Sequence, residues 1–311
     1  MVLLRVIKKV GQNKVLGIAE SGSTYHYLNW IPTENGPLIN KYGSIVKELI
    51  NSEEKDKHYF DVIEHIFSLI DSSEHICTFS LDKKNILFST CFSDNLNQEI
   101  VDWHLSQSLD KDIKRVMDFY HYPMGSDSKY LFNIGISKSI RQLFQANMRL
   151  LKSSLNGLSV GIFSAEIGAR KWMRADKKNS YLIWKIGKKR HDELLYICND
   201  ELIVYFGMYN KVKDLKLLWY YGDVDIANKV IIEINKIKKE ESLSFKIVEH
   251  VYLYTSDGNI NELKKIHKLN LKNLSLLNPL SVLKTIDNKK INDYNFLPLA
   301  ETGNAFRGID V

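Results

Sequence analysis

Gly17-Ile18-Ala19-Glu20-Ser21-Gly22-Ser23-Thr24, followed at once by Tyr25-His26-Tyr27-Leu28-Asn29-Trp30, is the stretch on which the fold turns. The apolar run Val15–Ala19 ends in the turn Ser21-Gly22-Ser23, and β-type residues resume after it, so a β-hairpin is expected. The octapeptide is one substitution away from a P-loop, but Ser23 stands where that loop needs a Lys. A P-loop also opens a helix whose amides face the phosphate, whereas strand formers follow here. A Gly/Ser hairpin still cradles phosphate through backbone N–H groups. Gly17, Ser21, Gly22 and Ser23 are therefore candidate anion-binding residues, with a plain tight turn as the alternative.

Downstream, Ile45, Val46, Leu49 and Ile50 recur at helical spacing, as do Tyr59, Ile63, Ile66, Phe67 and Ile70. Ile76–Leu81 and Ile86–Phe92 read as strands around Asp82-Lys83-Lys84-Asn85. A compact insert follows, with a helix marked by Leu96, Ile100, Trp103 and Leu109, and strands at Met117–Tyr122 and Tyr130–Ser137. An amphipathic helix is expected over Ile140–Leu155, with its stripe (Ile140, Leu143, Phe144, Met148, Leu151, Leu155) facing the insert's own strands. Leu158–Ser164 reads as a strand.

The second half restarts the same order. Tyr181–Ile186 ends at Gly187, and two strands flank the turn pair Asn199-Asp200. Lys216–Tyr221 is a further strand, and Asp223 is placed to cap a helix carrying Ile226, Val230, Ile234 and Ile237. His250–Thr255 ends at Ser256-Asp257-Gly258, and Ile260, Leu263 and Ile266 begin another helix. The expected division is residues 1–178, with an insert at about 85–157, and residues 179–311, joined through the short polar stretch Arg174–Ser180.

Bulk properties narrow the function classes. The chain has 311 residues, 44% of them hydrophobic, which is enough for sizeable cores. A net charge of +6 is dispersed, and the one dense basic run is Lys185, Lys188, Lys189 and Arg190, too little of a footprint for a nucleic-acid partner. Lys8, Lys9 and Lys14 suit contact with acidic lipid headgroups. No apolar run approaches the roughly 20 residues that span a bilayer. The opening Met-Val-Leu-Leu-Arg-Val-Ile-Lys-Lys does not fit a signal peptide.

Other chemical groupings carry bland alternatives. His58, Asp61 and His65 share a helix face and have zinc-ligand chemistry, but the solvated face of an amphipathic helix explains them better. His191 with Cys198 makes a nucleophile pair on paper, without an orienting third group. His104, His121, Asp110 and Asp112 follow no spacing rule. No catalytic residue and no metal ligand is assigned.

Taken together, the segment order resembles the PilM family, actin-like proteins of type IV pilus assembly related to the type II secretion L protein (GspL) and to FtsA. The resemblance rests on Gly17-Ile18 in the first hairpin, Ile186-Gly187 in the second, and Tyr254-Thr255-Ser256-Asp257-Gly258 at the adenosine loop. Asn278-Pro279 and the tail Gly303-Asn304-Ala305-Phe306-Arg307-Gly308 complete it. It implies an actin-like (RNase H-like) bilobed α/β fold with a small α+β insert in the first lobe. It also implies that Gly17, Ser21, Gly22, Ser23, Gly187 and Gly258 line a vestigial nucleotide cleft. Two departures concern chemistry. Ala19 and Lys185 stand where the family carries the aspartates that position hydrated Mg²⁺, an ion that needs oxygen ligands or carboxylate-held waters. Without them phosphoryl transfer loses its main charge stabilisation, so no cofactor is expected and ATP with Mg²⁺ is the alternative.

The family reading implies a non-catalytic scaffold on the cytosolic face of the inner membrane, peripheral to it, in a type IV pilus or related secretion platform. Its implied partner is the cytosolic N-terminal tail of a PilN-like single-span protein, bound between the insert and the first lobe, together with other platform components. The rivals are an active actin-like ATPase, with Glu20 as the nearest carboxylate, and an FtsA-like filament former. The three cysteines, Cys77, Cys91 and Cys198, are odd in number and widely spaced, which suits free thiols. Denatured, unreduced protein should therefore react with maleimide at all three; a smaller number would mean a disulfide.

Overall fold

In the computed structural model the described residues are 14–34, 36–47, 55–70, 74–92, 111–125, 130–210, 215–242, 244–256, 259–287 and 289–306. β1 (Lys14–Ser21) and β2 (Thr24–Thr33) form the expected hairpin, and β3 (Gly36–Val46) extends it. Ile45 and Val46 thus belong to a strand rather than a helix. Ile45 lies opposite Tyr25, and this cross-strand pairing outweighs a short helical spacing. Leu49 and Ile50 lie outside the described residues.

Helix α1 (Lys55–Leu69) buries Tyr59, Val62, Ile63, Ile66 and Phe67 along one stripe. It leads to β4 (His75–Leu81), parallel to β1. The insert contributes β5 (Ile86–Phe92), α2 (Lys111–Val116), β6 (Met117–Met124), β7 (Tyr130–Ser137) and α3 (Lys138–Leu150). Its expected helix over Leu96–Leu109 lies outside the described residues. β8 (Ser154–Val160) then pairs with β4, and α4 (Gly161–Met173) follows.

The second half repeats the scheme with β9 (Ser180–Lys185), β10 (His191–Cys198), β11 (Glu201–Asn210) and β12 (Leu215–Gly222), then α5 (Val224–Lys238) and β13 (His250–Tyr254). The remaining elements are α6 (Ile260–His267), β14 (Leu274–Leu276), α7 (Pro279–Val282) and β15 (Lys284–Thr285). The sheet orders are β15-β3-β2-β1-β4-β8 and β12-β11-β10-β9-β13-β14. Each contains the same core: three antiparallel strands, then two parallel ones added beyond the first strand. β1 and β9 are covered on both faces, which is why they read as continuous apolar runs rather than alternating ones. Asn199 and Asp200 both take positive φ (49° and 64°) in the two-residue turn between β10 and β11. The Asp223 carboxylate accepts the Asp225 and Ile226 amides at 2.9 and 3.1 Å, capping α5 as expected.

Two segments depart from the sequence expectation. The helix expected over Ile140–Leu155 ends at Leu150, and Leu155 sits in β8 opposite Cys77. Its stripe also faces another way. Phe144 lies 4.2 Å from the Phe79 ring and 5.2 Å from Tyr59, so α3 packs on β4 and α1 of the first sheet more than on the insert. The expected strand Leu158–Ser164 breaks at Gly161, where α4 begins. The residues α4 buries are mostly small (Gly161, Ser164, Ala165, Gly168, Ala169), so its sequence lacks the large apolar stripe that announces a helix.

Those small residues make room for the C-terminal segment. Residues Tyr294–Phe306 form a 3₁₀ stretch against α4, β1, β2 and β4. A Cβ on Gly303 would lie 2.2 Å from the Ser164 carbonyl oxygen, and Phe306 stacks on Trp30 at 4.8 Å. β15 pairs with the β3 edge. The unit expected at 179–311 thus does not keep to its own sheet, since its last part returns to the first. The insert likewise contacts both lobes. Phe88 and Phe132 on its sheet meet Phe163 of α4 and Tyr205 and Tyr221 of the second sheet, with ring centroids 5.2–6.5 Å apart across the cluster. Replacing Phe144 by Ala should lower the unfolding free energy by about 3–5 kcal/mol in urea titrations, whereas Leu143→Ala, at a half-buried site, should cost clearly less.

Candidate functional site

Side chains alternate along β1, and this decides which groups face the cleft between the lobes. Glu20 points to the side opposite Ala19. It is 2% exposed and fully engaged. Lys47 Nζ stands 2.6 Å and Lys84 Nζ 3.5 Å from Oε1. Tyr59 OH, the Asn85 side-chain amide and the Asp82 backbone N–H donate to Oε2 at 3.0, 2.9 and 3.3 Å. This carboxylate holds the lobe together and does not stand in for one at Ala19.

Gly22 takes φ +56° at the first hairpin tip, and its N–H donates to Asp82 Oδ2 at 3.0 Å. Asp82 also accepts the Lys84 N–H at 3.1 Å and has the Lys84 ammonium at 3.7 Å. Burial pushes the Asp82 carboxyl up, but the Lys84 amide and ammonium, the Gly22 amide and Lys185 outweigh it and leave it below the usual carboxylate range. Ser21 is buried and Ser23 exposed at the turn. Gly17 lies beneath the C-terminal segment, where a Cβ would stand 2.8 Å from the Thr302 carbonyl oxygen.

The second hairpin repeats the arrangement in a more buried form. The Gly187 N–H donates to Asp192 Oδ1 at 3.2 Å, and Trp184 Nε1 and Asn210 Nδ2 donate to Oδ2 at 3.1 and 2.9 Å. Burial pushes the Asp192 carboxyl up to about 6 against these three bonds. Lys185 lies 2.8 Å from Glu301 Oε1 of the C-terminal segment, and Tyr254 OH donates to the same oxygen at 3.0 Å. Burial holds the Glu301 carboxyl above its ordinary value despite the neighbouring Lys185.

The lobes approach closely at their hairpins. Lys188 Nζ lies 3.7 Å from the position a Gly22 Cβ would take. Lys83 reaches across to Glu193 at 3.5 Å and lies over the Trp219 ring at 4.1 Å. Burial pushes His26, on the cleft side of β2, down to about 4, against a hydrogen bond to the Ser256 backbone. The turn at Gly22 is thus approached by the Lys188 side chain from the turn that follows Gly187, while Gly258 lies outside the described residues. Sequence reasoning missed Asp82, Asp192 and Glu301. Their partners are brought together only by folding, and the one local signal was the position of Asp82 just before a turn.

His191 and Cys198 occupy the two ends of β10, roughly 23 Å apart by strand rise, so they form no pair. Among the described residues no group of three or more His, Cys, Asp or Glu side chains is arranged to hold a metal ion. All three cysteines are free. No helix among those residues is long and apolar enough to cross a membrane.

Two sheets with a shared strand core, facing each other through two hairpins, define an actin-like bilobed α/β protein. No protein-family profile and no curated protein matches the sequence. Among solved structures, the chain is similar to that of a PilM–PilN type IV pilus biogenesis complex, with 13% identity, a TM-score of 0.60, and coverage of 96% of this chain and 99% of that one. Weaker likenesses are the cytoplasmic domain of EpsL, an inner membrane component of the Vibrio cholerae type II secretion system (8% identity, TM-score 0.45, 96% and 100% covered), and a Bacteroides thetaiotaomicron protein with an actin-like ATPase fold (9%, 0.45, 85% and 90%).

The Asp192 environment sets a pH dependence. Its native pKa lies above the unfolded value, so the native state binds the extra proton and stability from this group is greatest below about pH 4. It is lost as pH rises through about 6. The stability difference between wild type and Asp192→Asn, measured by urea unfolding from pH 4 to 7, should fall with rising pH by about 3 kcal/mol; a flat or rising difference would contradict the assignment.

Proposed function

We propose that this chain is a non-catalytic assembly component of a type IV pilus or related secretion platform, held at the cytosolic face of the inner membrane by the tail of a PilN-like protein. The likeness of fold to a PilM–PilN structure, which extends over 96% of this chain and 99% of that one, carries this reading. The cleft chemistry supports it. Ala19 offers no metal ligand, Lys185 is engaged with Glu301, and both hairpin glycine amides already donate to carboxylates of this chain. A metal-bound nucleotide phosphate finds no carboxylate at positions 19 and 185, and the Gly22 and Gly187 amides are already taken.

A groove of about 370 Å³ opens at the base of the insert, beside Lys84 of the first lobe. Ile86, Leu87, Met117 and Ile140 give it apolar walls, and Lys84, Ser137 and Ser139 give it polar ones. A groove of mixed polar and apolar lining offers an extended peptide segment both side-chain contacts and partners for its main chain. Among the insert's aromatic residues, Phe132 is fully buried in the cluster that joins the lobes, whereas Tyr120 and Tyr122 are exposed. Deleting the insert would remove that cluster, so point variants are the better probe.

Titration with the cytosolic N-terminal tail of a PilN-like single-span protein should give saturable binding. Ser139→Arg, at an exposed position on the groove wall, should weaken it by roughly tenfold or more, about 1.4 kcal/mol, with unchanged melting. Phosphate release from ATP with Mg²⁺ should not exceed that of heat-killed protein. Turnover that depends on a cleft carboxylate, without tail binding, would move the assignment to the actin-like ATPases.

A further inference from the structure

We propose that Asp82 is a tethered anion, seated in a nest that becomes a binding site for inorganic phosphate when the carboxylate is removed. The nest is assembled from distant parts of the chain. The Gly22 N–H, sixty residues away in sequence, points at Asp82 Oδ2 from 3.0 Å. The Lys84 ammonium lies 3.7 Å from the same oxygen. The Lys188 ammonium, from the opposite lobe, stands beside Gly22. The Asp82 side chain is 22% exposed, so the nest opens to solvent, unlike the buried Asp192.

Amides and ammonium groups converging on one point select an oxyanion, and phosphate offers more acceptor oxygens and more charge than a carboxylate. A tethered group also acts at a high effective concentration, so Asp82 outcompetes millimolar free anion in the intact protein. Removing it leaves the Gly22 and Lys84 amides without their acceptor and takes from the Lys84 ammonium one of its two carboxylates, the other being Glu20. That costs stability, and an incoming anion restores it. This inference rests on the reading of the cleft as non-catalytic, and it adds the reason: the chain supplies its own occupant.

The test follows thermal unfolding of the full chain in inorganic phosphate, with ionic strength held constant by chloride, for wild type, Asp82→Ala and the double variant Asp82→Ala with Lys188→Ala. Wild type should melt at a temperature indifferent to phosphate. Asp82→Ala should melt lower in chloride and regain several degrees saturably with phosphate, and the double variant should lose most of that gain. If Asp82→Ala does not fold, Asp82→Ser, whose hydroxyl can still accept the Lys84 amide, replaces it with the same expectation. A single variant that ignores phosphate, or a wild type stabilised as much as the variant, overturns the tethered anion. A parallel arm with ATP and Mg²⁺ separates the two readings. Hydrolysis by wild type would remove the non-catalytic assignment whatever phosphate does, whereas absent phosphate rescue without hydrolysis removes only the nest.

Discussion

Gly303 lies so close to α4 that even one methyl group would collide with the Ser164 carbonyl, and much of the structure depends on this approach. It requires small residues along the buried face of α4 and lets the C-terminal segment reach Gly17 on β1. It seats Phe306 against Trp30, and Trp172 of α4 meets the same ring edge-on at 5.2 Å. The segment in turn delivers Glu301 to Lys185 and Tyr254, so the packing of one lobe fixes a charge belonging to the other. A side chain at position 303 would disturb the helix, the strand and the ion pair together.

The lobes are further coupled by contacts of different chemistry. The insert meets the second sheet through aromatic rings, and the Gly125 N–H donates to the Leu202 carbonyl at 2.8 Å. On the opposite lobe boundary, Arg170 of α4 bonds Asp200 at 2.9 Å and Tyr181 OH donates to Glu166 at 2.6 Å. An actin-like cleft that opens and closes would have to break a ring cluster, a buried ion pair and these hydrogen bonds in concert. The arrangement favours one fixed placement of the two lobes.

How much of this was legible beforehand follows from the range of the interactions. The hairpins were readable because turn chemistry is local, as Asn199-Asp200 and the Asp223 cap show. α1 was readable because a large apolar stripe faces one sheet. α4 was hidden because its partner is a peptide segment more than a hundred residues later, and close packing replaced the apolar stripe with glycine and alanine. The C-terminal motif was recognisable as a string of residues, but its wedge-like role was not. In the candidate site, it could be read directly that positions 19 and 185 carry Ala and Lys and no carboxylate. The carboxylates that fill the hairpins could not, because Asp82 meets Gly22, and Glu301 meets Lys185, only through tertiary structure.

The short strand β15 has a consequence for synthesis of the chain. It covers the edge of β3 with only Lys284 and Thr285, and the wedge that completes the first core comes later still. While the ribosome is still making the second lobe, the first sheet carries an unpaired edge and an unfilled gap between β1 and α4. Such edges recruit other strands, and contacts so far apart in sequence form slowly. Expression as a truncated first lobe, without residues 284–306, would therefore favour aggregation over folding.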